Sequence, residues 1–130
     1  MNRQTWTVVI CLAVLLTLAA CGTQKSGAVQ AVENYLQAVV SQKGDQAVGF
    51  SCAAWEEDAR MEADSFAAVT ARIENLACSE AGADGDGTLV TCKGKIVATY
   101  NNEDQDFPLE GIIYRTVKES NTWLMCGYKQ

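Results

Sequence analysis

The sequence predicts an α+β domain, helices first and an antiparallel sheet of about four strands after them, on three observations. Apolar residues recur at helical spacing from Ala28 to about Phe66. After Val69 the texture changes to short segments rich in Val, Ile, Thr and Tyr, separated by turns rich in Gly, Asn and Asp. No internal repeat and no second domain boundary are visible, so residues 28–130 are expected to form one domain.

Ahead of that domain stands a different kind of segment. Met1–Thr7 carries Arg3 beside the α-amine, and Val8–Ala20 is apolar apart from Thr17, the charged start and apolar middle of a secretory signal peptide over residues 1–20. Such a run spans about 20 Å as a helix against a hydrocarbon core of roughly 30 Å, so a permanent membrane span is the weaker reading. An ordinary signal peptidase site before Cys21 would put Leu18 where a small residue belongs. Leu18-Ala19-Ala20-Cys21 instead resembles the lipobox of bacterial lipoproteins. That resemblance implies lipidation of the Cys21 thiol by diacylglycerol, acylation (palmitate or a similar chain) of its new amine, and an exported protein anchored to membrane lipid. The cell envelope is the expected place, at the outer membrane or the extracellular face of the cell membrane. Each buried CH₂ contributes about 0.8 kcal/mol, so two or three chains hold a protein where one does so only marginally. Residues 21–27, the lipidated cysteine and a small polar tether, would reach about 20 Å if extended.

Composition narrows the function. Loss of residues 1–20 removes Arg3 and no acid, leaving 9 basic and 16 acidic side chains. An anionic surface repels nucleic acid and anionic head groups, so no nucleic-acid partner is expected and the lipid must do the anchoring. The chain has no histidine, which excludes Ser-His-Asp catalysis and histidine metal sites. Cys11 leaves with the signal and Cys21 takes the lipid, so Cys52, Cys78, Cys92 and Cys126 remain, without CxxC spacing. An even number of cysteines in an exported chain predicts two disulfides. No metal and no cofactor are expected. Asp84-Gly85-Asp86-Gly87 echoes the start of a calcium loop but lacks the later ligands, and a turn is the expectation.

The elements follow in order. Val29, Val32, Leu36, Val39 and Val40 form a helical stripe flanked by Tyr35, and Gly44 follows where a C-terminal cap would fall. Asp45 is placed to cap a short second helix through Phe50. Ser51 is placed to cap a third, with Glu56, Glu57 and Asp58 near its positive end and Trp55, Ala59, Ala63 and Phe66 on one face. Ile73–Ser79 and Thr88–Tyr100 flank a turn centred near Gly85 and read as a hairpin. Asn101–Asp106 reads as a polar loop, able to gate a mouth beside it. Leu109–Glu119 and Thr122–Tyr128, joined by Ser120-Asn121, complete the sheet.

Register predicts the disulfides. A hairpin centred near Gly85 puts Cys78 opposite Cys92, which leaves Cys52 for Cys126. With Ser120-Asn121 as a two-residue turn, Val117 pairs with Leu124, Arg115 with Cys126 and Ile113 with Tyr128 on one face. That face is expected to meet the helices, since Cys126 must reach Cys52. The opposite face, with Ile112, Tyr114, Trp123 and Met125, would then be an uncovered apolar patch for a homodimer or a protein partner.

Ala31-Val-Glu-Asn-Tyr-Leu-Gln-Ala-Val-Val40 with Gly44-Asp45, and the ending Tyr114-Arg-Thr-Val-Lys-Glu-Ser-Asn-Thr-Trp123, resemble the first helix and the terminal hairpin of the NTF2-like (cystatin-like) superfamily. The resemblance implies a curved sheet wrapped on helices into a cone, with Tyr35, Trp55 and Phe66 about its interior. It implies a ligand- or partner-binding domain, and as alternatives a structural or regulatory envelope accessory or an isomerase- or dehydratase-like enzyme. In steroid isomerases of the superfamily a first-helix tyrosine donates to an enolate oxygen, and Tyr35 falls at the matching place. Glu62 or Asp64 lies near the position of the base, but the motif around it is missing. Binding without catalysis is the expectation, and no catalytic residue is assigned.

Overall fold

The computed structural model describes residue 22 and residues 24–130. The signal segment and Cys21, with the lipidation expected there, lie outside the described residues. Among the described residues no helix is long and apolar enough to cross a membrane.

Helix α1 (Gly27–Val40) starts where Ser26 accepts a hydrogen bond from the Val29 amide, and it buries Val29, Val32, Tyr35, Leu36 and Val39. It ends one turn before Gly44. Gln42 takes the left-handed conformation (φ 59°), Lys43 N–H donates to the Ala38 carbonyl and Gln42 N–H to that of Val39. This is a Schellman closure without glycine. Gly44 instead opens α2 (Gly44–Gly49), whose first turn holds Asp45 paired with Arg60 at 3.0 Å rather than capping the helix.

The sequence misled most over Phe50–Cys52. Ser51 does not cap a helix; its hydroxyl donates to the Ala47 carbonyl, and Ser51 lies parallel beside Met125. Met125 N–H donates to the Phe50 carbonyl and Cys52 N–H to the Met125 carbonyl, both at 2.8 Å, so this short extended piece prolongs the sheet edge. A 3₁₀ turn (Ala53–Trp55) then leads into α3 (Glu56–Ser65), which turns Ala59 and Ala63 into the core.

Strands β1 (Thr70–Asp84), β2 (Gly87–Tyr100), β3 (Glu103–Pro108), β4 (Ile113–Glu119) and β5 (Thr122–Lys129) form a curved antiparallel sheet of five strands in the order β1-β2-β4-β5, with β3 also on β2. Thr88–Thr91 of β2 pairs with β4, and Lys95–Tyr100 pairs with β3. The stretch expected as a polar gating loop is thus a turn at Asn101-Asn102 followed by an edge strand. Its acids pair with neighbours, Asp104 with Arg72 at 3.1 Å and Asp106 with Lys95 at 2.5 Å. Asp84 and Asp86, at the tip of the first hairpin, pair with Arg115.

Cys78 and Cys92 stand opposite each other and are bonded. Cys52 and Cys126 are bonded too, between the sheet-edge segment and β5. Two disulfides suggest an oxidising, exported environment. Because Cys52 reaches Cys126 along the sheet edge, Cys126 need not face the helices, and the neighbouring Met125 does. Val117 pairs with Leu124, but a bulge at Cys126-Gly127 then sets Tyr114 against Tyr128 rather than Arg115 against Cys126. With the face of Met125 rather than that of Cys126 toward the helices, Tyr114 and Met125 are buried in the core, and Ile112 and Trp123 pack against it. Gly27 lets the start of α1 lie directly on the Trp123 ring, where a Cβ would collide. The expected uncovered face of Ile112, Tyr114, Trp123 and Met125 is the face that α1 covers.

The two bridges close loops of different length, with sequence separations of 74 and 14. In the chain-entropy model these are worth about 4.5 and about 3 kcal/mol. Urea titration of the Cys52→Ser/Cys126→Ser and Cys78→Ser/Cys92→Ser double variants should show the larger loss of unfolding free energy in the first.

Candidate functional site

The bend of the sheet opens a cleft of about 230 Å³ between the helices and the strands. Tyr35 and Leu36 of α1, Glu62 of α3 and Phe66 just after it form one side, and Ile96 of β2 and Phe107 of β3 the other. Tyr114 of β4 and Tyr128 of β5 also line it. Phe66, Ile96 and Phe107 continue into an adjoining hollow of about 450 Å³ that runs out along Ala98 and Tyr100. Phe107, Tyr100 and Tyr128 are 50%, 55% and 42% exposed, so among the described residues three of the four large apolar side chains most open to water stand on this rim. Exposed aromatics gathered about one opening suit recognition of an apolar body.

The polar centre is built from three elements. The helical spacing that puts Tyr35 on the buried stripe of α1 also aims its phenol at α3, where it donates to Glu62 Oε2 at 2.6 Å. Trp55 Nε1 donates to the Tyr35 oxygen at 3.1 Å, so the phenol is donor and acceptor at once. Burial drives the Glu62 carboxyl above the ordinary glutamate range, opposed by hydrogen bonds from Tyr35 and Tyr128. Burial, then the bond to Glu62, pushes Tyr35 far up, and Tyr128 is pushed up to about 12 by burial and by the Glu62 charge. Tyr114 also moves up, chiefly by burial. Its ring meets Tyr128 with centroids 5.8 Å apart, tilted by 56°.

Of the residues singled out in the sequence, Tyr35 and Phe66 line this cleft and Trp55 does not. Trp55 stands behind Tyr35 and lines a separate hollow with Arg115, Gly127 and Tyr128, against whose ring it packs edge-on. Glu62 meets Tyr35, whereas Asp64, two residues on along α3, is exposed. Phe107, Tyr114 and Tyr128 were missed as site residues. Phe107 sat at the end of an apparent loop, Tyr128 was misplaced by the unseen bulge, and the expectation that Cys126 faces the helices put Tyr114 on an outer partner face. Among the described residues no group of three histidines, cysteines or acids is placed to hold a metal ion.

No protein-family model matches the chain, and no curated protein matches it by sequence. Solved structures similar to it include Aln2 from a Streptomyces species, with 12% identity over 76% of this chain and 82% of that one and a TM-score of 0.56. Rd1NTF2_05 gives 12% identity over 77% and 94%, with a TM-score of 0.52. Rv3472, a function unknown protein from Mycobacterium tuberculosis, gives 14% over 98% and 74%, with 0.53. At these identities the likeness is one of fold, and the fold is NTF2-like.

The raised Glu62 pKa fixes the sign of a pH effect. The folded chain holds this proton more tightly than the unfolded one, so the associated stability is present below the unfolded value of about 4.3 and is lost as pH rises through the folded value. Unfolding free energies measured across that range should fall with pH for the wild type relative to Glu62→Gln, in which the step is missing.

Proposed function

We propose that this is an envelope-anchored binding domain, held to membrane lipid through Cys21, which takes a small, mainly apolar ligand into the cleft beside Tyr35. The observation that carries the reading is the pairing of an apolar cleft, rimmed by exposed Tyr100, Phe107 and Tyr128, with one buried polar centre at Tyr35 and Glu62. Apolar walls supply affinity, and a few convergent polar groups supply orientation.

The same centre favours binding over isomerisation. A tyrosine that assists enolisation must donate its hydrogen bond to the substrate oxygen, but the Tyr35 hydroxyl donates to Glu62. The two groups that would act as acid and base are bonded to each other. A ligand is better served by this pair as a fixed acceptor, held by Tyr35 and braced by Trp55. An accessory domain working through its outer sheet surface is the alternative, and it leaves the exposed rim without a purpose.

Binding of Nile red, an uncharged apolar dye, tests the cleft. The wild type is expected to enhance its fluorescence at a saturable single site, and Phe107→Ala to weaken that site about tenfold through lost aromatic contact. A wild type that leaves the dye unchanged would overturn the reading. Anchorage has its own test: Cys21→Ala should shift the protein from the membrane fraction to the soluble fraction, and a fully membrane-bound variant would remove the lipid anchor from the account.

A further inference from the structure

We propose that the ligand of the cleft is an organic cation, an ammonium group carried on an apolar body; this rests on the reading of the cleft as a ligand site. Glu62 is the one acidic side chain lining the cleft, and no lysine or arginine borders it. Nor does any ion pair among the described residues include it. Arg60, Arg72 and Arg115 pair with other acids, as do Lys25 and Lys95. Glu62 is held instead by a neutral phenol.

A half-buried carboxylate with phenols about it and no counter-charge lacks a positive partner. The walls suit one. Tyr35, Phe66, Phe107, Tyr114 and Tyr128 all border the cleft. Ring faces carry negative potential and attract ammonium groups, most strongly where water is excluded. The tilted Tyr114–Tyr128 corner and the Glu62 carboxylate line the same cleft, and the adjoining apolar hollow continues past Phe107. A positive head would meet the acid and rings while its hydrocarbon follows the hollow. An uncharged lipid would leave the acid desolvated and unmatched, and a fatty acid would set carboxylate against carboxylate.

Titration calorimetry of the domain at pH 7, with octyltrimethylammonium, 1-octanol and octanoate each below its aggregation limit, separates the possibilities. The cation is expected to bind about tenfold more tightly than the alcohol and octanoate most weakly, and Glu62→Gln to bring cation and alcohol to about equal affinity. An alcohol bound as tightly as the cation, or a cation preference that survives Glu62→Gln, would overturn the inference and leave the cleft as a ligand site. No binding of any of the three would overturn both.

Discussion

The bend in β2 at Gly94 is the constraint on which the rest of the structure depends. Gly94 has φ 102° and lies so close to β1 that a Cβ would meet the Glu74 and Asn75 carbonyl oxygens at 2.5 and 2.6 Å. Only a residue without a side chain fits there. Opposite it β1 carries a bulge between Glu74 and Ala77, so both strands turn together. Before the bend β2 lies beside β4, and after it beside β3. The Leu109 N–H donates to the Gly94 carbonyl at 3.0 Å, which brings the chain back across the gap between β3 and β4 and buries Leu109 there. A flat sheet of the same strands would lie closed against α1; the bent one lifts β3 away and leaves the cleft.

Within that frame the Tyr35–Glu62 bond joins structure and chemistry. A tyrosine fully buried on the inner face of α1 needs partners for its hydroxyl, because an unsatisfied one costs about 1–3 kcal/mol. Glu62 and Trp55 provide them, and no buried side-chain polar atom among the described residues is left without a partner. The acid is thereby fixed at the border between core and cleft. It is dry enough for its charge to be disfavoured, yet it still lines the space a ligand would enter.

Much of this was legible in the sequence, and the failures share one cause. The stripe from Val29 to Val40, the hairpin about Gly85 and the turn at Ser120-Asn121 are local patterns, and each formed. Ser120 and Asn121 both take positive φ, as a tight hairpin turn requires. Cys78 opposite Cys92 follows from the same local count. Two facts carry no local signal: a one-residue bulge at Cys126-Gly127, and an extended Phe50–Cys52 docked parallel to β5. The docked segment removes the need for Cys126 to face the helices, the premise that had put Tyr114 on the outer face, and the bulge brings Tyr128 onto the face of Tyr114, so both were hidden as cleft residues. The strand Glu103–Pro108 was hidden for another reason. Its acids are satisfied by cross-strand cations rather than by burial, so its composition reads as a loop.

The same edge strand explains how an apolar rim can stand open to water. Arg72, Glu74, Lys95, Asp104 and Asp106 form a connected charge ladder across β1, β2 and β3. Such exposed pairs add little stability. A charged surface does resist edge-to-edge pairing, and here it lies on the strands that carry Phe107 and Tyr100. Since β-strand side chains alternate, Gln105 and Phe107 face the hollow while Asp104 and Asp106 face the ladder. The strand thus presents an apolar side to the hollow and a charged side to solvent. That division lets a small domain keep exposed aromatics beside its cleft without offering a sticky sheet.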